Sequence, residues 1–592
     1  MAKRINRREF LTRSGKAAVG AGLGSTLLAT GGVAAANALG TPDGALETEA
    51  AAADDAAVRS GGMAFWLESS LRRVFPGSEA RRNGRIELLA ARNERISFQA
   101  CVRNTTLSMV NVRVSVSGPD DIGILVRRVD YVPTPHHTIE TPEAELDGVG
   151  RIPGYVPDPL AHTNMVDLGP LETYAFWITV TVPPDARPGE RKLAVRFMVG
   201  EETKAELTAT VDVRSLVIQP RRDFPVTHWW RAEAIWDWYK TGVFDEKWWQ
   251  IVTPYIENMI SHGSNVVYVP IFFMRRETFK RPAQLLKVTE PQPGRYEFDF
   301  SDVRRFVKLA RECGAEYFEW SHLWIYWGVK NPIRVYTWKD GEATMLWPPD
   351  TDGHGPVYRN FLAQFLPAFH KFLQQEKLLD RSFFHLSDEP GGGEHFENYR
   401  KARVLLKELA PWMKVMDALS DVQYGKEGLT DIPIPVVSAA QAYIDAGIPH
   451  WVYFCCAPRG AFLNRFFDTP LAKIRMSGWL FYHLGAKGFL HWGYNYWHRM
   501  ESEQLVDPFT DASGGLWPGI PHGDPFMVYP GPNGPIDSIR WEVFAESLQD
   551  YALLQTAGID PGDALLSPMK TYADFPKTEE WIREARRRIL TS

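Results

Sequence analysis

The chain has 592 residues, with 66 lysines and arginines against 72 aspartates and glutamates, for a formal net charge of −6. An acidic surface of this kind disfavours binding to nucleic acid and to anionic lipid. Four cysteines in a chain of this length exclude a framework held together by disulfides. The length is sufficient for two domains, each with its own apolar core.

Residues 1–40 have the pattern of an export signal. Arg7 and Arg8 are followed by Glu9, Phe10 and Leu11, and a run rich in glycine and alanine extends over residues 17–36. Paired arginines before Phe and Leu are typical of a twin-arginine signal, and the apolar run is too rich in small residues for a stable membrane anchor. We therefore expect transient contact with the twin-arginine export machinery and a periplasmic or extracellular location.

The next two segments differ in pattern. Residues 41–60 are small and acidic and lack an apolar period, which predicts a disordered linker. In residues 61–219, short stretches of alternating polar and apolar residues are separated by Pro, Gly and Asp turns, which predicts an all-β sandwich domain. Within it, residues 133–165 are rich in Pro and His and are predicted to form a long loop.

From residue 220 to residue 592, short apolar runs alternate with longer helical periods. The eight predicted strands are residues 226–230, 265–273, 315–323, 382–387, 414–418, 434–438, 450–456 and 488–495. The predicted helices are residues 246–262, 303–313, 358–375, 399–409, 439–446, 471–484 and 542–555. Eight β/α repeats predict a closed (β/α)8 TIM barrel with C-terminal helices. An open, doubly wound sheet is the alternative, but no Gly-rich phosphate turn follows the first strand.

Asp388 and Glu389 come directly after the fourth predicted strand, in the run HLSDEP. An Asp-Glu-Pro tripeptide is usually a solvated turn before a helix. In a β/α barrel, however, the active site lies at the carboxyl ends of the strands. We therefore predict that Asp388 and Glu389 are the catalytic residues.

Two adjacent carboxylates restrict the chemistry that this pair can perform. Glycosidic cleavage needs an acid that protonates the leaving oxygen and a group that stabilises the oxocarbenium-like centre. Adjacent carboxylates cannot flank the bond from opposite sides. They suit a substrate-assisted reaction, in which the 2-acetamido carbonyl of the sugar is the nucleophile, one carboxylate orients that amide and the other donates the proton. The expected outcome is retention of configuration.

Aromatic and polar residues also cluster at the ends of the other predicted strands. Tryptophan can stack on the apolar face of a sugar ring, but alternate residues of a strand point in opposite directions, so only some of them can face the barrel axis. The residues predicted to bind substrate are Trp229, His322, Trp324, Tyr453, Trp492, Asn495 and Trp497.

Several segments resemble the catalytic domain of glycoside hydrolase family 123 and its many bacterial relatives. They are HLSDEP, WVYFCCAPRGAFLNRFFDTPLAKIR, GFLHWGYNYW, and GDPFMVYPG followed by SIRWEVFAESLQDYALL. The resemblance covers about residues 220–560, and LAARNERISFQACVRN resembles the β-sandwich that precedes that barrel. The resemblance implies an exo-acting β-N-acetylgalactosaminidase that retains configuration through an oxazoline intermediate. It also implies that Glu389 is the acid/base and that Asp388 orients the acetamide.

Two other functions remain open at this stage. One is a glycosidase of the same fold that acts on a non-acetamido sugar, for which Asp417 is a candidate second carboxylate. The other is a non-catalytic carbohydrate-binding surface protein, because barrels host many functions. In each case the expected partner is an oligosaccharide or glycoconjugate. Neither a cofactor nor a metal is predicted, because the sequence contains no phosphate-binding turn and no CxxC or HExxH spacing.

Overall fold

The computed structural model describes residues 57–274, 281–339, 342–500, 502–515 and 519–591. The predicted export signal and most of the predicted linker lie outside these residues. Among the described residues, no helix combines the length and the apolar character needed to span a membrane. The described residues form a mixed α/β structure with an N-terminal β-rich region.

The β-rich region is built from eleven strands in two sheets. The strands are β1 (Val58–Ser60), β2 (Met63–Ser69), β3 (Arg85–Arg92), β4 (Glu94–Asn104), β5 (Val110–Ser117), β6 (Gly123–Thr134), β7 (Gly154–Ala161), β8 (Met165–Leu168), β9 (Thr173–Val182), β10 (Gly189–Val199) and β11 (Glu202–Val217). One sheet has the order β1-β2-β4-β9-β6-β7 and the other has the order β3-β11-β10-β5-β8. The alternation in β10 and β11 buries every second residue, and apolar side chains from both sheets form one core.

Two predictions in this region are wrong in part. Residues 58–60, placed in the disordered linker, pair with β2 as strand β1. The predicted long loop at residues 133–165 contains β7, which pairs with β6, and the start of β8. Pro157 and Pro159 hid β7, because proline normally interrupts strands. They are tolerated here because β7 lies at the edge of its sheet, where one side of the strand needs no backbone partner in that sheet.

The described residues of the α/β region contain eight parallel strands. They are β12 (Val226–His228), β13 (Val266–Val269), β16 (Tyr317–Trp320), β19 (Ser382–Phe384), β20 (Met416–Ala418), β21 (Ile432–Ile434), β22 (Val452–Tyr453) and β23 (Phe489–His491). Seven lie within the runs predicted as strands, and β21 begins before its predicted run, residues 434–438, and shares only Ile434 with it. Six of them form one sheet in the order β19-β16-β13-β12-β23-β22, and β20 pairs with β21. Parallel bridges Phe384–Val415 and Val436–Tyr453 connect these two sheets.

Helices separate most of these strands, as predicted. They are α1 (Ala232–Tyr239), α2 (Glu246–Ser261), α3 (Ser301–Glu312), α4 (Pro356–Gln375), α5 (Glu394–Leu409), α6 (Gln423–Lys426), α7 (Ala440–Asp445), α8 (Leu471–Arg475), α9 (Ser477–His483), α10 (Ile539–Thr556) and α11 (Glu579–Thr591). The predicted helix over residues 471–484 is two helices that meet at Met476. Helices α1, α6 and α11 were not predicted.

Three antiparallel hairpins are inserted between the parallel strands and the helices. They are β14 (Lys287–Gln292) with β15 (Arg295–Asp299), β17 (Tyr336–Lys339) with β18 (Glu342–Met345), and β24 (Val528–Gly531) with β25 (Gly534–Asp537). The last hairpin leads into α10, where the side chain of the N-cap residue Ser538 accepts the backbone N–H of Trp541. Helix α10 is buried on nearly all sides. Glycine at position 478 allows α9 to approach it closely, because a Cβ there would lie 1.8 Å from the carbonyl oxygen of Ser547.

Buried ion pairs connect the β-rich region to α10 and its neighbours. In β7, Asp158 accepts hydrogen bonds from the Arg540 guanidinium at 2.9 and 3.0 Å, and both side chains are fully buried. In β6, Arg127 lies 2.6 Å from Asp537 and 2.8 Å from Glu542. Both regions belong to one compact unit, Ala53–Ser592.

Candidate active site

Asp388 and Glu389 lie in the loop that follows β19, and both are half-buried. The backbone of Glu389 has φ of 42°, in the left-handed region that non-glycine residues seldom adopt. The carbonyl oxygen of Asp388 accepts a hydrogen bond from the backbone N–H of Trp327 at 2.9 Å. Strained backbone of this kind concentrates at functional sites, where the surrounding structure imposes the conformation.

Tyr453, at the end of β22, contacts Glu389 directly. Its hydroxyl donates a hydrogen bond to Oε1 of Glu389 at 2.8 Å. Burial raises the pKa of Tyr453 well above its ordinary value, and the charge of Glu389 raises it further. Tyr453 therefore stays protonated and acts as a fixed donor that orients the Glu389 carboxylate.

A buried histidine between two carboxylates supports the strand end that carries the pair. Nε2 of His385 lies 2.6 Å from Glu319, and Nδ1 lies 3.0 Å from Asp417. Burial lowers the pKa of His385, but the hydrogen bonds to Asp417 and Glu319 outweigh it and raise the pKa to about 10. His385 is therefore an imidazolium at neutral pH and donates from both ring nitrogens.

Asp417 connects His385 to the backbone of the segment that leads to Asp388 and Glu389. Its carboxylate accepts hydrogen bonds from the Tyr399 hydroxyl at 2.7 Å and from the backbone N–H of Leu386 at 3.2 Å. All of these groups are buried, so water does not compete for most of their hydrogen bonds. The arrangement fixes the backbone two residues before Asp388.

Because His385 loses its proton at alkaline pH, we expect the stability of the fold to fall there. Because its pKa is raised above the ordinary value of about 6.5, its contribution is fully present below about pH 6.5 and is lost as the pH rises through about 10. We expect the urea midpoint of the wild type to fall between these pH values more steeply than that of His385→Gln. The control replaces the partly exposed His483 by Gln, which should leave the dependence of the urea midpoint on pH unchanged. Equal slopes for the wild type and His385→Gln would contradict this assignment.

Two of the residues predicted to bind substrate lie against this network. The ring of His322 stacks on that of His385, with centroids 4.2 Å apart, and the indole N–H of Trp229 donates to Glu319. Neither ring nitrogen of His322 has a hydrogen-bond partner among the residues that the structure describes, although the side chain is 1% exposed. Burial lowers the pKa of His322 well below its ordinary value, followed by the charge of His385, so the ring is neutral.

Asn495 has a structural contact that the sequence did not predict. Its side-chain amide accepts from the backbone N–H of Arg231 at 2.7 Å and donates to the Arg231 carbonyl at 3.1 Å. This holds Arg231, after the first parallel strand, with its guanidinium 5.5 Å from the centre of the Tyr496 ring. The described residues provide no hydrogen-bond partner for the buried Nε of Arg231. Sequence analysis missed Arg231, although its place directly after Trp229 and Trp230 is a signal for this strand end.

The three remaining tryptophans differ in exposure. Trp492 is half-buried, and its indole N–H donates to Asp524 at 3.0 Å, which leaves part of the ring face accessible. Trp324 and Trp497 are 0% and 1% exposed, and their indole N–H groups donate to backbone carbonyls at 2.9 and 3.2 Å. Of these three tryptophans, only Trp492 has a partly exposed side chain.

Two buried groups among the described residues have side-chain atoms close enough together to hold a metal ion. They are His322 with His385 and Asp417, and His262 with Asp537 and Glu542. In the first group both nitrogens of His385 are already bonded to carboxylates, and its raised pKa keeps them protonated. Both ring nitrogens of His385 are therefore occupied by carboxylate contacts in this structure.

Comparisons with known proteins identify the class of this chain. A model of the catalytic domain of glycoside hydrolase 123 matches residues 229–557, more than half of the chain. The class is therefore that of the glycoside hydrolases. Within it, the chain belongs to glycoside hydrolase family 123, as its sequence motifs predicted.

One similar solved structure is a family 123 glycoside hydrolase from Clostridium perfringens, described in relation to glycolipid glycan hydrolysis. It is 16% identical with a TM-score of 0.69, and the match covers 89% of this chain and 97% of that chain, which supports the fold alone. A xyloglucanase of family 5 from Bacteroides ovatus is 11% identical with a TM-score of 0.29, covering 79% and 98%, too weak a likeness for argument. No curated protein matches the sequence.

Proposed function

We propose that this protein is an exported, retaining glycosidase that removes terminal β-linked N-acetylhexosamine, with N-acetylgalactosamine as the preferred sugar. The observation that supports it most is the adjacent Asp388 and Glu389 after a parallel strand, with Glu389 oriented by Tyr453. The membership in family 123 supports glycosidic cleavage as the reaction. Carbohydrate binding without catalysis does not require two adjacent carboxylates whose backbone and side chain are so constrained.

In the proposed mechanism, the two carboxylates have separate roles. Glu389 protonates the glycosidic oxygen while the acetamide carbonyl of the sugar attacks the anomeric carbon and expels the aglycone. Asp388 orients the acetamide and stabilises the positive charge that develops on it. Glu389 then removes a proton from the water that opens the oxazoline, so the product keeps the β configuration.

The surroundings of Asp417 favour this reaction over one that uses two protein carboxylates. Asp417 is 0% exposed and bound to His385, Tyr399 and the Leu386 backbone, so it has no free path to a sugar. Glu319 is also 0% exposed and is bound to His385 and Trp229. A nucleophile from the substrate itself is consistent with this arrangement.

We further propose that the eight parallel strands form a closed (β/α)8 barrel over residues 220–592, preceded by a β-sandwich over residues 61–219. The two parallel bridges that connect the six-stranded and two-stranded sheets support closure, and the core shared by the two N-terminal sheets supports a sandwich. Export by the twin-arginine route is proposed from the sequence of residues 1–40. Mass spectrometry of the secreted protein, with and without twin-arginine export, tests that route.

Three aryl glycosides test the proposed activity. We expect release of the aryl group from aryl 2-acetamido-2-deoxy-β-galactoside, slower release from the gluco epimer, and loss of about a hundredfold or more in kcat/KM for the 2-hydroxy β-galactoside, which lacks the internal nucleophile. NMR of the first-formed sugar should show the β anomer. Equal rates on the acetamido and hydroxy substrates would contradict substrate assistance. A folded protein that turns over none of the three would contradict the proposed specificity.

A further inference from the structure

A cationic side chain without a counter-charge lies inside the α/β region, separate from the Asp388 and Glu389 pair. Arg465 is 1% exposed, and none of its three guanidinium nitrogens has a hydrogen-bond partner among the described residues. No carboxylate of those residues forms an ion pair with it. Arginine keeps its charge in proteins, so the charge is buried without compensation from the protein.

Aromatic rings surround this guanidinium on several sides. Its central carbon lies 4.5 Å from the ring centre of Phe544, 5.5 Å from that of Phe454, and 5.8 Å from that of Phe489. Cation–π attraction offsets part of the desolvation cost but provides no acceptor for the N–H groups. Burial lowers the pKa of Arg465 well below its ordinary value, and the nearby charge of Arg540 lowers it further.

Two histidines share these aromatic neighbours. The ring centre of His228 lies 5.7 Å from that of Phe544, and that of His491 lies 5.7 Å from that of Phe454. Both histidines are 0% exposed, and within the described part of the chain Nε2 of each has no hydrogen-bond partner. We refer to Arg465, His228 and His491 as the buried cationic cluster.

The tautomer of His491 places a further donor in this cluster. Nδ1 of His491 accepts the backbone N–H of Gly493 at 3.1 Å, so the neutral ring carries its proton on Nε2. Burial lowers the pKa of His491 well below its ordinary value, and the positive charge of Arg465 lowers it further. His491 thus presents a neutral N–H donor, and Arg465 adds a positive charge.

The nearby carboxylate does not neutralise Arg465. Asp524 accepts the Trp492 indole N–H at 3.0 Å, and its other oxygen lies 3.4 Å from Nε2 of His491. Its charge acts on Arg465 only across a distance greater than that of an ion pair. Elsewhere in the chain, buried arginines such as Arg540 have a carboxylate in contact, and Arg221 donates to the carbonyls of Phe224 and Gly263.

We propose that the buried cationic cluster binds a small monovalent anion, with chloride as the physiological occupant. The anion accepts hydrogen bonds from the Arg465 guanidinium and from the Nε2–H of His491, and it neutralises the charge that the described residues leave unpaired. A bound anion lowers the free energy of the folded state relative to the unfolded state, which has no such site. Ordered water molecules alone are the competing occupant, because buried polar groups also bind water.

Bromide tests the proposal, because it resembles chloride and scatters X-rays anomalously. We expect crystals of the wild-type protein soaked in sodium bromide to show an anomalous peak within hydrogen-bond distance of the Arg465 guanidinium. Anomalous peaks only at the surface, with water density in the cluster, would overturn the proposal. This measurement needs no variant, so it remains decisive if changes at Arg465 prevent folding.

Thermal unfolding gives a second measurement in solution. At equal ionic strength, replacing gluconate by chloride should raise the Tm of the wild type by about 2–4 °C, and Arg465→Met should lose this rise. Arg221→Met is the matched control, because Arg221 also lacks a carboxylate partner but has carbonyl acceptors, and it should keep the chloride dependence. An absent chloride effect in the wild type, or an equal effect in Arg465→Met, would overturn the proposal.

Discussion

Replacing Glu389 by glutamine is expected to lower kcat on aryl N-acetyl-β-galactosaminides by about 10²–10⁴-fold, the usual contribution of a general acid/base. An amide cannot donate the proton that the leaving oxygen needs. The loss should therefore be largest for poor leaving groups and smaller for 2,4-dinitrophenolate, which departs without protonation. Sugar binding should persist, because glutamine keeps the size and the hydrogen-bonding capacity of the side chain.

Azide and the neighbouring residues provide the controls for this variant. Azide needs no general base, so it should restore turnover of the dinitrophenyl substrate by Glu389→Gln and yield the β-glycosyl azide. Asp388→Asn should instead lose activity to a similar extent with every leaving group, because it affects the acetamide. Tyr453→Phe, which removes only the 2.8 Å hydrogen bond to Glu389, should show a smaller loss. A uniform loss for Glu389→Gln across leaving groups would contradict the acid/base role.

Replacing Asp158 by alanine is expected to lower the free energy of unfolding by about 3–5 kcal/mol, because it leaves the Arg540 charge buried and unpaired. Both side chains are 0% exposed, and Tyr529 also donates to Asp158 at 2.6 Å. The measurement is chemical denaturation followed by fluorescence, with the midpoint and the slope compared between variant and wild type. This change leaves Asp388 and Glu389 in place.

A surface ion pair provides the matched control for this prediction. Glu408 pairs with Arg359, and the two side chains are 55% and 48% exposed, so water competes for both charges. Glu408→Ala should leave the midpoint nearly unchanged. If Asp158→Ala has as small an effect as Glu408→Ala, the buried pair does not hold the β-rich region to α10.

The parallel strands could be located from the sequence because each is a short apolar run bounded by polar residues. Their lengths could not, and β22 retains only two residues of a predicted seven. Residues outside the short strands still pair with their neighbours, as Trp451 does when it donates its backbone N–H to the Pro433 carbonyl at 3.0 Å. Helix α1 was not predicted, because no element was assigned to residues 232–239 from the sequence and the first predicted helix began at residue 246. Strand β7 was hidden by its prolines.

Asp388 and Glu389 could be proposed as a catalytic pair from the sequence because they are contiguous and adjoin a strand. The network of Glu319, His385 and Asp417 could not, because these residues come from three strands and contact one another only after the strands pair. Asn495 illustrates the same limit. Its position after the eighth strand predicted sugar contact, but its side chain is directed to the backbone of Arg231, and no local pattern specifies such a direction.

The ion pairs between the N-terminal sheets and α10 have a consequence for modular engineering. Here Glu94, Arg127 and Asp158 each provide the counter-charge for a residue of the catalytic region. A catalytic fragment begun at residue 220 would expose these residues as unmatched charges on a newly uncovered surface. Chimeras of this family would have to transfer the N-terminal sheets and α10 together.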